Sequence, residues 1–286
     1  MIDALSGLRR FVSRPGLARG ERHARVIAVT AQKGGVGKTT TAVHLAAGLA
    51  LDSGKKVLLI DMDAQGHVAM SLRQLFAPIT QDTLGAILLG KKRDVYEIAQ
   101  RTRLDGLWIV PSDRELNTTE SIMASRIGKE LLLRKALEVA RTHFDVIVID
   151  CPPNLGSLTV NALVAADLLL VPGDLSLLSL DGIEALLDAM ETVRDTLNPG
   201  LGLLGLLRTR VDRRNQTVNG AIGDVLTERY GSVLLETEIG VSTDIAKAQL
   251  EGCPVFELKK DSRGAQAYRA LAAEVTARLA APAARH

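Results

Sequence analysis

The residues best suited to chemistry form one short segment, 32–40, which has the sequence QKGGVGKTT. It follows most of the phosphate-loop pattern GxxxxGK[ST], in which glycines let backbone N–H groups surround the oxygens of a phosphate. We expect Lys38 to reach the β- and γ-phosphates of a nucleotide and the Thr39 hydroxyl to ligate Mg²⁺. Gln32 occupies the position of the first glycine in the pattern, and Lys33 adds a second cation. The segment therefore predicts a nucleotide-phosphate site.

Three aspartates lie where short apolar runs end, which is where ligands collect in open α/β sheets. Asp61 and Asp63 follow the run 57–60, and Asp150 follows the run 146–149. A carboxylate beside a bound nucleotide can hold Mg²⁺, directly or through water. A carboxylate at the end of a strand can also simply cap the next turn. Because all three accompany a phosphate loop, we favour a metal and catalytic role over capping.

Short apolar, β-branched runs alternate with segments of helical apolar spacing from Arg25 onward. The pattern predicts strands at 26–30, 57–60, 107–110, 146–149, 168–171 (ending before Pro172) and 203–207. It predicts helices at 40–51, 115–124, 129–140, 183–197, 218–230 and 264–279. Continuous Val, Ile and Leu runs separated by helices are typical of a mostly parallel sheet covered by helices on both faces. We therefore expect an α/β fold of the P-loop NTPase type, with residues 25–286 forming one domain.

The composition is that of a globular protein with a sizeable core. Of 286 residues, 47% are apolar and 24% are charged, and no apolar run is long enough for a membrane-spanning helix. The two cysteines, Cys151 and Cys253, form no CxxC pair, which removes support for a zinc ribbon or a disulfide framework. Aromatic residues make up only 3% of the chain, so platforms for stacking single-stranded nucleic acids are scarce. We expect a cytoplasmic protein with reduced thiols.

The arginine-rich start of the chain is predicted to be a separate extension. Residues 1–25 hold six arginines and two acidic residues, although the formal net charge of the whole chain is only +2. Because this segment is basic and contains Pro15 and Gly16, we expect residues 1–24 to form a flexible N-terminal extension. An arm that touches a membrane or DNA is the alternative, since its apolar residues could form a short amphipathic stripe.

Three further segments accompany the phosphate loop: VLLIDMDAQG at 57–66, FDVIVIDCPP at 144–153 and SRGAQAY at 262–268. Together with QKGGVGKTT they resemble the motifs of the ParA/MinD family of deviant Walker A ATPases, most closely its ParA-type partition and positioning members. The similarity runs from about residue 25 to residue 279. Gln32 favours ParA over MinD, and so does a C-terminal end that does not resemble the amphipathic membrane helix of MinD.

The resemblance implies a role for each candidate site residue. Lys33 is expected to reach across a nucleotide-sandwich dimer to the partner's phosphates, and Asp63 to position or activate the attacking water. The implied ATP-binding residues are Lys33, Gly34, Gly35, Val36, Gly37, Lys38, Thr39 and Thr40. The implied catalytic residues are Lys33, Lys38 and Asp63, and the implied Mg²⁺ ligands are Thr39, Asp61 and Asp150.

The resemblance also implies an ATP-bound homodimer that binds nonspecific double-stranded DNA, which requires only cations held on one face. Arg214 matches one DNA-contact arginine of the family, whereas Asp244 replaces another. The implied DNA-binding residues are Arg208, Arg210, Arg213, Arg214 and Lys247. A ParB-like or cargo-adaptor protein would stimulate a weak ATPase activity, and the protein would be associated with the nucleoid. Other departures from the family motifs are Ala64, His67, Gly240 and Ser242. Together with Asp244 they suggest a diverged or orphan member whose cargo need not be a centromere.

Two other functions stay open on the residues alone. The first is a membrane-surface switch of the MinD or flagellar-positioning type, with residues 1–24 as the anchor. The second is a scaffold that uses ATP only to dimerise and does not hydrolyse it.

Overall fold

Eight strands form one sheet at the centre of the protein. The computed structural model describes residues 17–77, 83–90, 92–112, 114–174, 177–212 and 227–280. Within these ranges the strands are β1 (Arg25–Val29), β2 (Val57–Asp61), β3 (Gln100–Arg101), β4 (Leu107–Val110), β5 (Val146–Asp150), β6 (Leu168–Asp174), β7 (Gly202–Val211) and β8 (Leu234–Gly240). Their order is β3-β4-β2-β5-β1-β6-β7-β8, and all neighbouring pairs are parallel except β3 with β4. The predicted α/β fold with a mostly parallel sheet is confirmed.

Helices cover both faces of this sheet. They are α1 (Lys38–Ser53), α2 (His67–Ser71), α3 (Leu84–Leu88), α4 (Leu116–Met123), α5 (Leu132–Ala136), α6 (Ser157–Ala165), α7 (Leu177–Thr196), α8 (Thr243–Glu251), α9 (Val255–Leu258) and α10 (Arg263–Ala280). Successive side chains of a strand point to opposite faces. Val26 and Ala28 of β1 accordingly join the core beneath α6 and α7, whereas Ile27 and Val29 join the core beneath α1 and α10. Both faces of the central strands are therefore apolar and buried.

Strand β6 is longer than the sequence indicates. It was expected to end before Pro172, yet it continues to Asp174. Proline cannot donate a hydrogen bond to a neighbouring strand. However, β1 pairs with β6 only along residues 168–170, and beyond that point β6 pairs with β7 alone. Pro172 is tolerated because it lies past the end of β1, and the longer strand carries Asp174 to the edge of the sheet where the phosphate loop lies.

The prediction of a continuous helix at 129–140 is wrong. The chain instead forms a 3-10 turn at Lys129–Leu131, then α5, then a second 3-10 turn at Ala140–Thr142. The buried carboxylate of Asp94 accepts hydrogen bonds from the N–H groups of Val139 at 2.7 Å and Ala140 at 3.0 Å. These two N–H groups are thus withdrawn from the helical hydrogen-bond pattern, and the helix ends.

Four of the other predicted helices are present as α1, α4, α7 and α10, with ends shifted by one to six residues. The predicted helix at 218–230 lies outside the described residues as far as residue 226, and residues 227–230 are helical. Strands β3 and β8 were not expected. Among the described residues, no helix combines the length and the apolar character that crossing a bilayer would require.

The last residues of the predicted N-terminal extension pack against the domain. The N–H of Gly20 donates to the Thr142 hydroxyl at 2.8 Å, the Arg22 guanidinium pairs with Asp145 at 2.8 Å, and Ala24 is buried. Residues 1–16 lie outside the described ranges. The boundary between extension and domain therefore stays a prediction.

Candidate nucleotide site

The phosphate loop connects β1 to α1 at the carboxyl edge of the sheet. Gly35 and Gly37 adopt positive φ values of 77° and 92°, which glycine reaches without the steric penalty of a Cβ. Helix α1 begins at Lys38, directly after Gly37. The positive end of its dipole and its unpaired N–H groups therefore face the loop, and this arrangement is suited to binding phosphate.

Lys38 points into the site rather than into solvent. Its Nζ donates a hydrogen bond to the Lys33 carbonyl at 3.1 Å, and the residue is only 7% exposed. Burial lowers the pKa of Lys38, although the carboxylates of Asp150 and Asp63 act in the opposite direction. A partly desolvated ammonium gains more from a bound anion than an exposed one does. Lys38 is thus placed to bind the phosphates directly.

Asp61 and Asp150 lie side by side at the ends of the adjacent strands β2 and β5, and both are fully buried. The Asp61 carboxylate accepts hydrogen bonds from the N–H groups of Asp63 at 3.0 Å and Val68 at 3.2 Å. Burial raises the pKa of Asp61, and these hydrogen bonds only partly oppose the rise. Asp61 thereby holds in place the turn that carries Asp63.

Asp150 has the properties of a magnesium ligand. Within the described part of the chain, neither of its carboxylate oxygens has a hydrogen-bond partner of good geometry. Burial raises the pKa of Asp150 well above its ordinary value and repulsion from Asp61 adds to this, while the nearby Thr39 hydroxyl acts against it. A divalent cation would compensate this buried negative charge. Because Mg²⁺ is commonly bound by one or two carboxylates together with nucleotide phosphates, Thr39 and Asp150 would hold it alongside ATP.

Asp63 lines the same cleft as the phosphate loop, and this cleft has a volume of about 590 Å³. The backbone around Asp63 is fixed at two points. Its side-chain oxygen accepts the Gln65 N–H at 3.0 Å, and its carbonyl accepts the hydroxyl of Ser112. A carboxylate fixed beside bound phosphates can orient a water molecule and accept a proton from it.

The end of the cleft away from the carboxylates is formed by β7, β8 and α8. Its lining includes the apolar residues Ile239, Val241 and Ile245 together with the aromatic residue Tyr268. Apolar and aromatic walls with a few polar groups are the usual surroundings of a flat ligand ring. The cleft can thus accommodate a nucleobase at this end and phosphates at the other.

Lys33 has a different position from Lys38, although both belong to the loop. Its Nζ forms an ion pair with Asp174 at the end of β6, at 2.9 Å. The Lys33 side chain is 40% exposed and the Asp174 side chain 24%. The Lys33 ammonium is therefore held at the rim of the cleft.

The three candidate DNA-binding residues that the structure describes, Arg208, Arg210 and Lys247, are not brought together in one exposed patch. Arg208 forms an ion pair with Glu238 on the adjacent strand at 2.7 Å. Arg210 points to the phosphate loop and donates to the Gly35 carbonyl at 2.9 Å, whereas Lys247 lies exposed on α8. Arg213 and Arg214 lie outside the described residues.

Asp244, which stands where a cation was expected, is itself balanced by a cation. Lys259 lies 3.4 Å from its carboxylate. The pair leaves this part of the α8 surface without a net positive charge.

Two residues of the site, Asp174 and Thr209, were not predicted from the sequence. Asp174 ends β6 and contacts Lys33, and the buried Thr209 hydroxyl near the end of β7 donates to the Val36 carbonyl at 2.7 Å. The signal that could have found them is their position, because polar residues at the carboxyl ends of parallel strands converge on one edge of the sheet. Because β6 was predicted to end before Pro172, Asp174 was not recognised as a residue at a strand end.

Comparisons with known proteins agree with this geometry. A family model described as an AAA domain matches residues 24–203, a range that includes the phosphate loop and all three aspartates. The chain is 38% identical to the chromosome partitioning protein ParA of Caulobacter vibrioides over 256 residues, which are 89% of this chain and 94% of that protein.

Two solved structures are similar over most of the chain. One is cobyrinic acid a,c-diamide synthase from Mycobacterium smegmatis with bound ADP and magnesium, with a TM-score of 0.74 and 33% identity, covering 87% of this chain and 93% of that one. The other is the cell division ATPase MinD of Pyrococcus furiosus, with a TM-score of 0.69 and 28% identity, covering 89% of this chain and 99% of that one.

Proposed function

Because the chain belongs to the ParA/MinD family of ATPases, we propose that it is a molecular switch driven by Mg²⁺ and ATP. ATP closes a homodimer, the dimer binds nonspecific DNA, and hydrolysis reopens it. The observation that carries this proposal is the different placement of the two loop lysines. Lys38 is buried in its own site, whereas Lys33 lies at the rim in an ion pair with Asp174. The exposed position of Lys33 supports a contact between its ammonium and the phosphates of a second copy.

Hydrolysis is assigned to Asp63, which lines the cleft beside the loop. Its carboxylate would orient a water molecule for attack on the γ-phosphate, and the Lys38 ammonium would stabilise the developing charge. Thr39 and Asp150 would hold Mg²⁺, which supplies further positive charge beside the phosphates. Lys33 from the second copy adds a further positive charge at the same place. Because that charge arrives only with the dimer, turnover is slow in the monomer.

Binding of DNA is assigned to Lys247, Arg213 and Arg214. Contacts to DNA phosphates need only cations on one face, and each contact adds affinity that depends on salt but not on sequence. Arg208 and Arg210 contribute less, because the first is paired with Glu238 and the second with Gly35. The Asp244–Lys259 pair weakens the surface further.

The proposed cycle includes a partner protein and a cargo. The dimer associates with the nucleoid, and a ParB-like or cargo-adaptor protein stimulates hydrolysis and releases it. The similar protein from Caulobacter vibrioides is named for chromosome partitioning, which supports partitioning or positioning of a plasmid, a chromosome or a protein complex as the role of this chain.

The experiment that tests the proposal measures binding to a random-sequence DNA duplex with ATP, ADP and no nucleotide, each with Mg²⁺ and at several salt concentrations. We expect binding only with ATP, with an affinity that falls as salt rises. Lys247→Ala should reduce the slope of log K against log salt by about 0.9 if one phosphate contact is lost. Lys135→Ala is the matched control, because Lys135 is exposed on α5, on the opposite face of the sheet. Equal DNA binding in all three nucleotide states, or none, would overturn the proposal.

A further inference from the structure

Two hydrogen bonds fasten the phosphate loop to the end of β7. The Thr209 hydroxyl donates to the Val36 carbonyl at 2.7 Å, and the Arg210 guanidinium donates to the Gly35 carbonyl at 2.9 Å. Thr209 is only 2% exposed. Both donors also line the nucleotide cleft. Two consecutive carbonyls of the loop are therefore held by two consecutive residues of one strand.

The backbone of Arg210 is strained. Its φ is 53°, and among the described residues it is the one non-glycine residue with a positive φ. A Cβ in this left-handed conformation clashes with the backbone, so the conformation costs free energy. Such residues persist where the surrounding structure requires them, often beside a functional site. In this conformation the Arg210 guanidinium donates its hydrogen bond to the Gly35 carbonyl.

We propose that Thr209 and Arg210 are positioning residues that preset the phosphate loop for nucleotide binding. The peptide bond is planar and trans, so a carbonyl and the following N–H point in opposite directions. Holding the carbonyls of Gly35 and Val36 towards β7 turns the N–H groups of Val36 and Gly37 away from it.

The sheet order identifies the side to which these N–H groups turn. β7 lies two strands from β1 on one side, and β5, which carries Asp150, lies next to β1 on the other. Lys38 is close enough to Asp150 for their charges to interact. The N–H groups of Val36 and Gly37 are thus directed to the side on which Lys38 and the carboxylates lie. A preset ring of N–H donors binds phosphate without first having to reorganise.

This inference rests on the nucleotide binding included in the proposed function and names residues that tune it. The probe is Mg-ADP, which is not hydrolysed, and the affinity is measured by titration calorimetry on the full chain. Arg210→Gly removes the side chain and the strain, and Arg210→Met removes the charge but keeps the strain. We expect both variants to bind Mg-ADP about tenfold more weakly, the loss of one charge-assisted hydrogen bond. Arg210→Lys, which keeps a donor, should stay within about threefold of wild type.

Two further measurements distinguish this positioning role from a loss of fold stability and from long-range attraction between charges. The melting temperature should stay within about 2 °C of wild type in Arg210→Gly, because relief of strain offsets the lost hydrogen bond. The loss of affinity should persist from 50 mM to about 500 mM KCl, where long-range attraction between charges is screened. A loss that disappears at high salt would show that Arg210 acts only through its charge and would overturn the inference.

Thr209 provides an independent pair of variants. Thr209→Ser keeps the hydroxyl and should bind Mg-ADP like wild type, whereas the isosteric Thr209→Val should bind about fivefold more weakly. If wild type binds Mg-ADP and all the Arg210 and Thr209 variants bind it equally well, the inference is wrong while the nucleotide site stands. If wild type itself does not bind Mg-ADP, the proposed function fails.

Discussion

The ion pair between Lys33 and Asp174 should oppose dimer formation. In the single chain the pair holds Nζ of Lys33 2.9 Å from the Asp174 carboxylate. If Lys33 is to contact the phosphates of a second copy, this contact has to break. Asp174→Asn removes the charge of the holding group with little change of shape, so the variant should dimerise more readily with Mg-ATP.

The magnitude follows from the exposure of the two side chains, 40% for Lys33 and 24% for Asp174. An ion pair this accessible to water and salt contributes about 0.5–1 kcal/mol. A symmetric dimer breaks one pair in each copy, so the variant should gain about 1–2 kcal/mol. This corresponds to a dimer dissociation constant lower by roughly 5- to 30-fold.

The dimer dissociation constant is measured by sedimentation equilibrium with Mg-ATP. All variants carry Asp63→Ala so that ATP is not consumed. Glu191→Gln is the matched control, because it removes the same charge from an exposed pair with Arg194 on α7 and should leave the dimer unchanged. An Asp174→Asn protein that is folded and dimerises no better than wild type would refute the reasoning.

Three other outcomes follow from the site and its surroundings. Lys38→Ala should weaken Mg-ATP binding by about 100-fold or more in calorimetry, because the buried phosphate cation is lost; unchanged affinity would contradict its assignment. Lys33→Ala should bind Mg-ATP as a monomer but neither dimerise nor turn it over, as seen by sedimentation and phosphate release; a normal dimer would argue against its role across the interface. Burial lowers the pKa of His44 to about 4 in the folded protein. As the pH falls, the His44 imidazole is therefore protonated in the unfolded state before it is protonated in the folded state. The free energy of unfolding of wild type, relative to His44→Gln, should therefore drop by roughly 3 kcal/mol between pH 6.5 and 4 in urea titrations; equal pH profiles would contradict this.

The elements that local patterns specify could be predicted from the sequence. The phosphate loop is recognisable because its glycines and Lys38 must stand at fixed spacing, and β1, β2 and β5 because a strand buried on both faces is apolar throughout. The aspartates at the ends of β2 and β5 were found for the same reason.

The parts that were missed depend on partners far away in the sequence. Val139 is separated from Asp94 by 45 positions, Asp174 from Lys33 by 141, and Thr209 from Val36 by 173. No window of sequence contains both members of such a pair. The early end of α5 at Ala136, the ion pair of Lys33 and the hydrogen bonds between the loop and β7 therefore became visible only in the folded structure.

The ion pair of Arg208 was missed for a related reason. Its sequence neighbours include several arginines, which suggested a common exposed face. In a regular strand Arg208 and Arg210 would share one face, but the pairing of β7 with β8 shifts register between Thr209 and Val211, and Arg210 has a φ of 53°. Arg208 pairs with Glu238 on β8, a strand that the sequence did not predict.

In the proposed cycle, ATP closes a dimer and hydrolysis through Asp63 reopens it. The most direct test follows the dimer by sedimentation and the γ-phosphate by its release, in wild type and Asp63→Ala supplied with Mg-ATP. Wild type should release phosphate and return to the monomer, whereas Asp63→Ala should stay dimeric, with turnover lower by about 100-fold or more. Release of phosphate at the wild-type rate by Asp63→Ala, or a wild-type protein that stays monomeric with Mg-ATP, would contradict the account.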